Sequence, residues 1–315
     1  SAKTVFNGTF FNKFNKYTTD QFVQREEFRK LKINAEFNLL RKSDYNNLYQ
    51  YGDYIISQTY SLNKKSVLNI SKKINQIYEQ YLTDQNNVYF TIVPDKNYFI
   101  NDENLKLDYN KLENLLNRNL SFTKYIRIFD MLELEDYYKT DTHWKQERLL
   151  KVAKTIAESM NVNLENEYKE KTICDFQGAY SGQLPISTAK DKIKILTNSE
   201  IEKSKVYNYE TKKENKVYNM EKINSLDKYD IYLSGATPVL KIENPENKTG
   251  NELIIFRDSY ASSLVPLFIP KYSKITLIDT RYISPKLLSN YVKFNNQDIL
   301  FMYSTLIINN SYSLK

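Results

Sequence analysis

Apolar residues fall along this chain in two rhythms. Over residues 19–42 they recur at roughly helical spacing, at Phe22, Phe28, Leu31, Ile33, Phe37 and Leu40, with charged residues between them. That spacing predicts an amphipathic helix. Residues 66–81 repeat it, with Val67, Ile70, Ile74 and Ile77 or Tyr78 on one face. Residues 50–60 alternate and are rich in tyrosine, which predicts a short strand or hairpin. The second rhythm is a series of short apolar runs at 88–93, 125–129, 231–233, 253–256, 275–278 and 299–303, separated by helical or loop-like stretches. Strands that are apolar on both faces belong in a sheet covered on both sides by helices. The predicted fold is therefore α/β, a three-layer α/β/α sandwich around a mostly parallel sheet.

Between residues 161 and 228 the pattern changes to charged, alternating stretches, at 192–196 and 205–209, which suit hairpins better than buried parallel strands. This segment is expected to form an inserted β-rich subdomain or lid, dividing one catalytic domain into residues 1–160 and 229–315. The length of 315 residues, 41% of them hydrophobic, is enough for one large core and such an appendage.

Composition narrows the picture a little further. The richness in Asn, Lys, Ile and Tyr runs the whole length and reads as genomic bias, and Pro and Gly are scarce, at 7 and 6. No run reaches the roughly 18 apolar residues of a membrane span. The sequence opens Ser1-Ala2-Lys3 without a signal-like segment, so an export signal or anchor is expected to precede it. A single cysteine, Cys174, excludes an internal disulfide and any multi-cysteine metal site, and one imidazole supports no metal centre, so no cofactor is expected. The net charge of +7 is spread among 38 acidic residues with no pure basic cluster, which reads as a well-mixed surface and not as a nucleic-acid footprint.

Candidate chemistry centres on the one histidine, His143, which adjoins the one tryptophan in Thr140-Asp141-Thr142-His143-Trp144. Asp141, two residues before it, is close enough for a loop to fold its carboxylate onto imidazole Nδ1 and fix the tautomer. A stripe at Leu149, Leu150, Val152, Ala153, Ile156 and Met160 follows and predicts a helix. A histidine base needs a nucleophile, and Ser259 in Phe256-Arg257-Asp258-Ser259-Tyr260 sits between a strand and a renewed helical pattern up to Phe268. A strand, a sharp turn and a helix lift a serine hydroxyl above the carboxyl edge of a parallel sheet, with its N–H at the helix start. The plainer alternative is that Asp258 and Ser259 only cap that helix.

Asp-Ser after a strand resembles the first sequence block of the SGNH hydrolases, and Asp-x-His-Trp their last, in permuted order. Together with Pro94-Asp95-Lys96-Asn97, Tyr232-Leu233-Ser234-Gly235, Asp279-Thr280-Arg281-Tyr282, Asn309-Asn310-Ser311, and Asp20-Gln21-Phe22 with Arg25, this pattern looks like the DHHW family, relatives of the alginate O-acetyltransferases. Two departures stand out. Thr142 replaces the second letter of the family's tetrapeptide, and Arg257 stands where ordinary members of the wider group have Gly.

The resemblance implies an O-acetyltransferase acting on an extracellular polysaccharide, cellulose among the candidates, through an acetyl-serine on Ser259, with His143 as base and Asp141 as its orienter. It further implies an extracytoplasmic, membrane-associated protein at the cell surface, a membrane-bound acyltransferase as acetyl donor, and a monomer. Alternatives are an acetylesterase with the same triad and a silent polysaccharide-binding scaffold. Gly235, Arg257, Tyr138 and Arg281 are the candidates for oxyanion or substrate contacts. Against them stand a turn glycine at 235, packing for Tyr137 and Tyr138, and an ion pair of Arg281 with Asp279.

Overall fold

The computed structural model describes residues 46–100, 105–184 and 189–315. The helix expected over 19–42 lies outside them, as do Asp20, Gln21, Phe22 and Arg25. The described chain opens with a hairpin of β1 (Leu48–Tyr51) and β2 (Tyr54–Ser57), then α1 (Lys64–Tyr81), β3 (Val88–Val93), α2 (Tyr109–Asn119) and β4 (Lys124–Ile126). A loop containing His143 leads into α3 (Leu150–Ser159). Next come β5 (Lys169–Phe176), α4 (Ala179–Gln183), β6 (Asp191–Thr197), α5 (Ser199–Lys203), β7 (Lys205–Asn208) and β8 (Lys213–Asn215). The chain ends with β9 (Val239–Glu243), β10 (Glu252–Arg257), α6 (Ala261–Leu264), β11 (Lys274–Ile278), β12 (Asp298–Ser304) and α7 (Thr305–Asn309).

Eight strands form the central sheet in the order β4-β3-β12-β10-β11-β9-β7-β8. The first five run parallel, and β9, β7 and β8 extend the sheet in antiparallel fashion. Side chains alternate across each parallel strand and divide between two cores. Phe90, Ile254, Phe256, Ile299 and Phe301 pack with Val67, Ile70 and Ile74 of α1 and Leu112 and Leu116 of α2. Tyr89, Leu253, Ile255, Leu300 and Met302 face the other way, towards Val152, Ala153 and Ile156 of α3 and the segment 261–269. Two covered faces explain why these runs have no polar side. α1 starts where the Asn63 side chain accepts the Ser66 N–H, and it buries Val67, Ile70, Ile74 and Ile77.

The structure departs from the apolar pattern in three places. Residues 231–233 form no strand. A 3₁₀ turn at Lys228–Ile231 is followed by three left-handed residues, Leu233, Ser234 and Gly235, with φ of 56°, 63° and 83°, and such a backbone cannot continue a pleat. Their apolar side chains still enter the core. Of residues 125–129 only the start pairs, because the chain turns at Phe129. The segment 161–228 is β-rich, with β5 and β6 as an antiparallel pair, but it does not fold apart. β7 and β8 continue the central sheet, and Phe176, Ile193, Ile195 and Leu196 share the core of β10. Their alternation signals half-buried strands, a pattern equally at home on a sheet edge.

Ile255 is fully buried at the centre of the sheet, while Leu226 is wholly exposed. Ile255→Ala should lower stability by about 3 kcal/mol, read from the denaturation midpoint, because the sheet cannot collapse around the void. Leu226→Ala should leave the midpoint within about 0.5 kcal/mol of the parent.

Candidate active site

The parallel strands end along one edge, where open α/β sheets place their ligands. At the end of β10, Asp258 makes the turn. Its Oδ1 accepts the Tyr260 N–H at 3.0 Å and its Oδ2 accepts the Ser304 N–H at 2.7 Å, at the end of β12. Asp258 thus ties down the turn, no side chain caps the helix that follows, and the Ser259 hydroxyl is left for other use. α6, entirely buried, follows directly and fixes the exit of the turn.

His143 reaches this serine from far back in the chain. Its Nε2 lies 2.8 Å from Ser259 Oγ and its Nδ1 lies 2.6 Å from Asp141 Oδ1. Asp141 is 1% exposed and His143 7%, so the pair is nearly dry. Burial alone would raise the Asp141 carboxyl. His143 and the backbone N–H groups of His143 and Ala179, at 3.0 and 2.9 Å, hold it down instead, to about 2. A charged carboxylate on Nδ1 leaves Nε2 free to accept the serine proton. The Ser259 N–H has no acceptor within the chain among the described residues.

The loop around His143 is braced on several sides. Tyr137 and Trp144 form an isolated antiparallel bridge, and the Tyr138 N–H donates to the His143 carbonyl at 3.0 Å. Asp191 accepts the Lys139 and Thr140 N–H groups at 3.0 and 2.8 Å and the Thr140 hydroxyl at 2.7 Å. Trp144 Nε1 donates to the Tyr260 carbonyl at 2.9 Å, and the Tyr260 hydroxyl donates to the Thr142 carbonyl at 2.7 Å. Thr142, the departure from the tetrapeptide, thus ties the histidine loop to the serine turn. Beneath it the buried Lys96 donates to the carbonyls of Ile55, Tyr138 and Lys139, and burial pushes its ammonium down to about 7. Gly178 passes so close that a Cβ there would stand 2.2 Å from Asp141 Cβ.

Asp141, His143 and Ser259 are therefore brought together, while the other candidates are committed elsewhere. The Gly235 N–H donates to the Tyr232 carbonyl at 3.2 Å, inside the left-handed turn, and is not offered to an oxyanion. Arg257 is fully buried. It bonds Ser262 Oγ at 2.9 Å, Gly235 O at 3.2 Å and Asp258 O at 3.4 Å, so it joins the two turns beside Ser259 from within and cannot meet substrate. Tyr138 is buried, its hydroxyl against that of Tyr232, and offers no face to a sugar. Arg281 is held by Asp279, with Nη2 2.6 Å from Oδ2 and Nε 2.9 Å from Oδ1. Cys174 packs against the core from β5, where burial raises its thiol.

Sequence reasoning missed Tyr229, whose ring stacks on His143 at 3.8 Å between centroids and 7° between planes. One tyrosine among 27 gave no signal. Gly178 had a weak one, since in a chain with only 6 glycines each is suspect as a close approach. Asp191 and Lys96 carry ordinary charges that nothing in the pattern marked as buried.

No family model matches the chain, and no curated protein matches it. Solved structures do. A DHHW family protein from Eubacterium siraeum shares the fold with a TM-score of 0.67 at 21% identity, over 86% of this chain and 94% of that one. PatB1 of Bacillus cereus, solved with a sulfonyl adduct, gives 0.68 at 17% identity, over 84% and 97%. The O-acetyltransferase domain of AlgJ from Pseudomonas putida gives 0.51 at 10% identity, over 84% and 92%. What the chain has in common with them at these identities is the three-layer α/β fold. No described helix is long and apolar enough to cross a membrane.

Two outcomes follow from the carboxylate's surroundings. Asp141 is depressed in the folded chain, from about 4 when unfolded to about 2, so its charge stabilises the fold above pH 4 and that gain fades as pH falls towards 2. Asp141→Asn should be less stable than the parent at neutral pH, with the gap in urea midpoint closing between about pH 4 and pH 2. Gly178→Ala should cost about 1–3 kcal/mol, because the added methyl would meet Asp141 at Cβ and Cα as well as at its carboxylate, and the first two cannot swing aside. A midpoint unchanged in Gly178→Ala would show that the 178–180 segment does not press on Asp141 in solution.

Proposed function

We propose that this chain is an O-acetyltransferase that carries an acetyl group on Ser259 and delivers it to a hydroxyl of an extracellular polysaccharide. The observation that carries the reading is the continuous chain from Asp141 Oδ1 through His143 to Ser259 Oγ, with bonds of 2.6 and 2.8 Å. Support for transfer as the outcome comes from AlgJ, whose O-acetyltransferase domain shares the fold.

In the first half-reaction His143 Nε2 takes the proton from Ser259 Oγ as that oxygen attacks the carbonyl carbon of an acetyl ester. The negative charge on the carbonyl oxygen is met by the Ser259 N–H at the entrance to the serine turn. The donor's carbon–oxygen bond breaks, the leaving oxygen takes the proton from Nε2, and acetyl-Ser259 remains. In the second half the acceptor hydroxyl gives its proton to Nε2 and attacks the acetyl carbon. The bond between the acetyl carbonyl carbon and Ser259 Oγ then breaks, and Oγ recovers the proton from Nε2. Asp141 stays ionised throughout and stabilises each transient imidazolium. A membrane-bound acyltransferase would supply the acetyl group, and the enzyme would work at the cell surface.

Incubation with an activated acetyl ester should add one acetyl group to the protein, mapped to Ser259 by mass spectrometry and absent in Ser259→Ala. Label at another residue, or undiminished label in that variant, would overturn the assignment. With a panel of oligosaccharides as acceptors, acetylated sugar should form with at least one. If free acetate is the only product with every glycan, including native surface polymers, the enzyme is an esterase.

A further inference from the structure

We infer that Tyr229 is a positioning residue for His143, its ring face holding the imidazole in line between Asp141 and Ser259 and favouring the imidazolium over the neutral base. This rests on the acyl-transfer reading above. The stacking is close and nearly parallel, at 3.8 Å and 7°. It is also built, for Tyr229 is only 2% exposed and fixed at both ends. Its backbone N–H is held by Asp227 Oδ1 at 3.0 Å. Its hydroxyl exchanges a hydrogen bond with Ser263 Oγ at 2.8 Å and reaches the Ser259 carbonyl at 3.5 Å. The ring is wedged against Tyr232 at 5.1 Å and Tyr138 at 6.4 Å. A plate anchored to the serine turn therefore sets the plane of the histidine that must serve that serine.

The electronic consequence follows from the ring's charge distribution. The face of a tyrosine is negative, so it attracts a cation stacked on it more than a neutral ring. His143 is neutral before it accepts the serine proton and cationic while it holds it, so the contact strengthens as the reaction proceeds. Other groups also act on the imidazole: Asp141 at Nδ1, Tyr260 from the serine turn at 5.0 Å, and the carboxylates of Asp227 and Asp230 on the turn that carries Tyr229. All four remain when Tyr229 alone is changed.

The test compares Tyr229→Phe, which keeps the face, with Tyr229→Leu, which removes it, each first checked for an unchanged cooperative melt. In single-turnover acetylation by p-nitrophenyl acetate, Tyr229→Leu should lower the maximal rate about 10-fold with little change in the half-saturating concentration. Tyr229→Phe should stay within about 3-fold. The acid limb of the rate profile should move to lower pH in Tyr229→Leu and stay in place in Tyr229→Phe, whereas a merely misplaced histidine would lower the rate at every pH without moving the limb. Because His143 is the only histidine, its ring protons give a single NMR titration, which in the Ser259→Ala background needs no activity at all. There, addition of Tyr229→Leu should remove the ring-current shift and lower the pH at which the ring takes up its proton. An unmoved titration overturns the role of Tyr229, whereas a moved titration with a wild-type protein that never acetylates upholds it and sinks the acyl-transfer reading instead.

Discussion

Asp141 is a carboxylate almost wholly removed from water, and an uncompensated buried charge costs several kcal/mol. Its ionisation survives because three donors converge on it: imidazole Nδ1, the His143 N–H and the Ala179 N–H. Each donor must in turn be held. Ala179 can approach because Gly178 has no side chain, and Asp191 and Lys96 bond the backbone of the histidine loop and help hold it in register. The dryness that makes Asp141 costly also strengthens its pull on the imidazole.

The sheet supplies the platform on which these constraints meet. β3, β10 and β12 all end at the edge where Ser259 stands, and side chains just past those ends tie them to one another. Asp95, after β3, accepts the Thr305 hydroxyl at 2.7 Å, and Asp258, after β10, accepts the Ser304 N–H. Arg257, fully buried with no carboxylate bonded to it among the described residues, spans from the serine turn to the left-handed turn at Gly235. A cation so placed adds positive field under the serine without touching substrate.

The parts of this design visible in the sequence are those written in local pattern. Apolar runs announced the parallel strands because both faces of each are covered, and the pair Asp141 and His143 was legible because the two residues meet through a loop of minimal length. Ser259 was legible because a strand runs straight into it. Contacts between remote segments left no such mark. Tyr229 looks like any other tyrosine until the turn after Asp227 lays it on the imidazole, and β9, outside the apolar runs that predicted strands, takes its place only by pairing with β11. At residues 231–233 burial was read correctly and conformation was not, since hydrophobicity reports where a residue goes and not the sign of its φ. Gly235 looked like an oxyanion donor because a glycine after an apolar run fits that role, whereas its N–H closes its own turn.

The distance along the chain between partners has a kinetic meaning. His143 and Ser259 are 116 residues apart, Asp141 and Ala179 are 38 apart, and Asp95 and Thr305 are 210 apart. Contacts so remote in sequence form late, after the long loops between them have closed, and they slow folding. Ser259 is therefore an isolated alcohol on a nascent or partly folded chain, and its bond to His143 belongs to the fold in which β12 holds the serine turn through Ser304. The line from Asp141 through His143 to Ser259 is a property of the finished fold, so its appearance in a refolding experiment would report the joining of these remote segments.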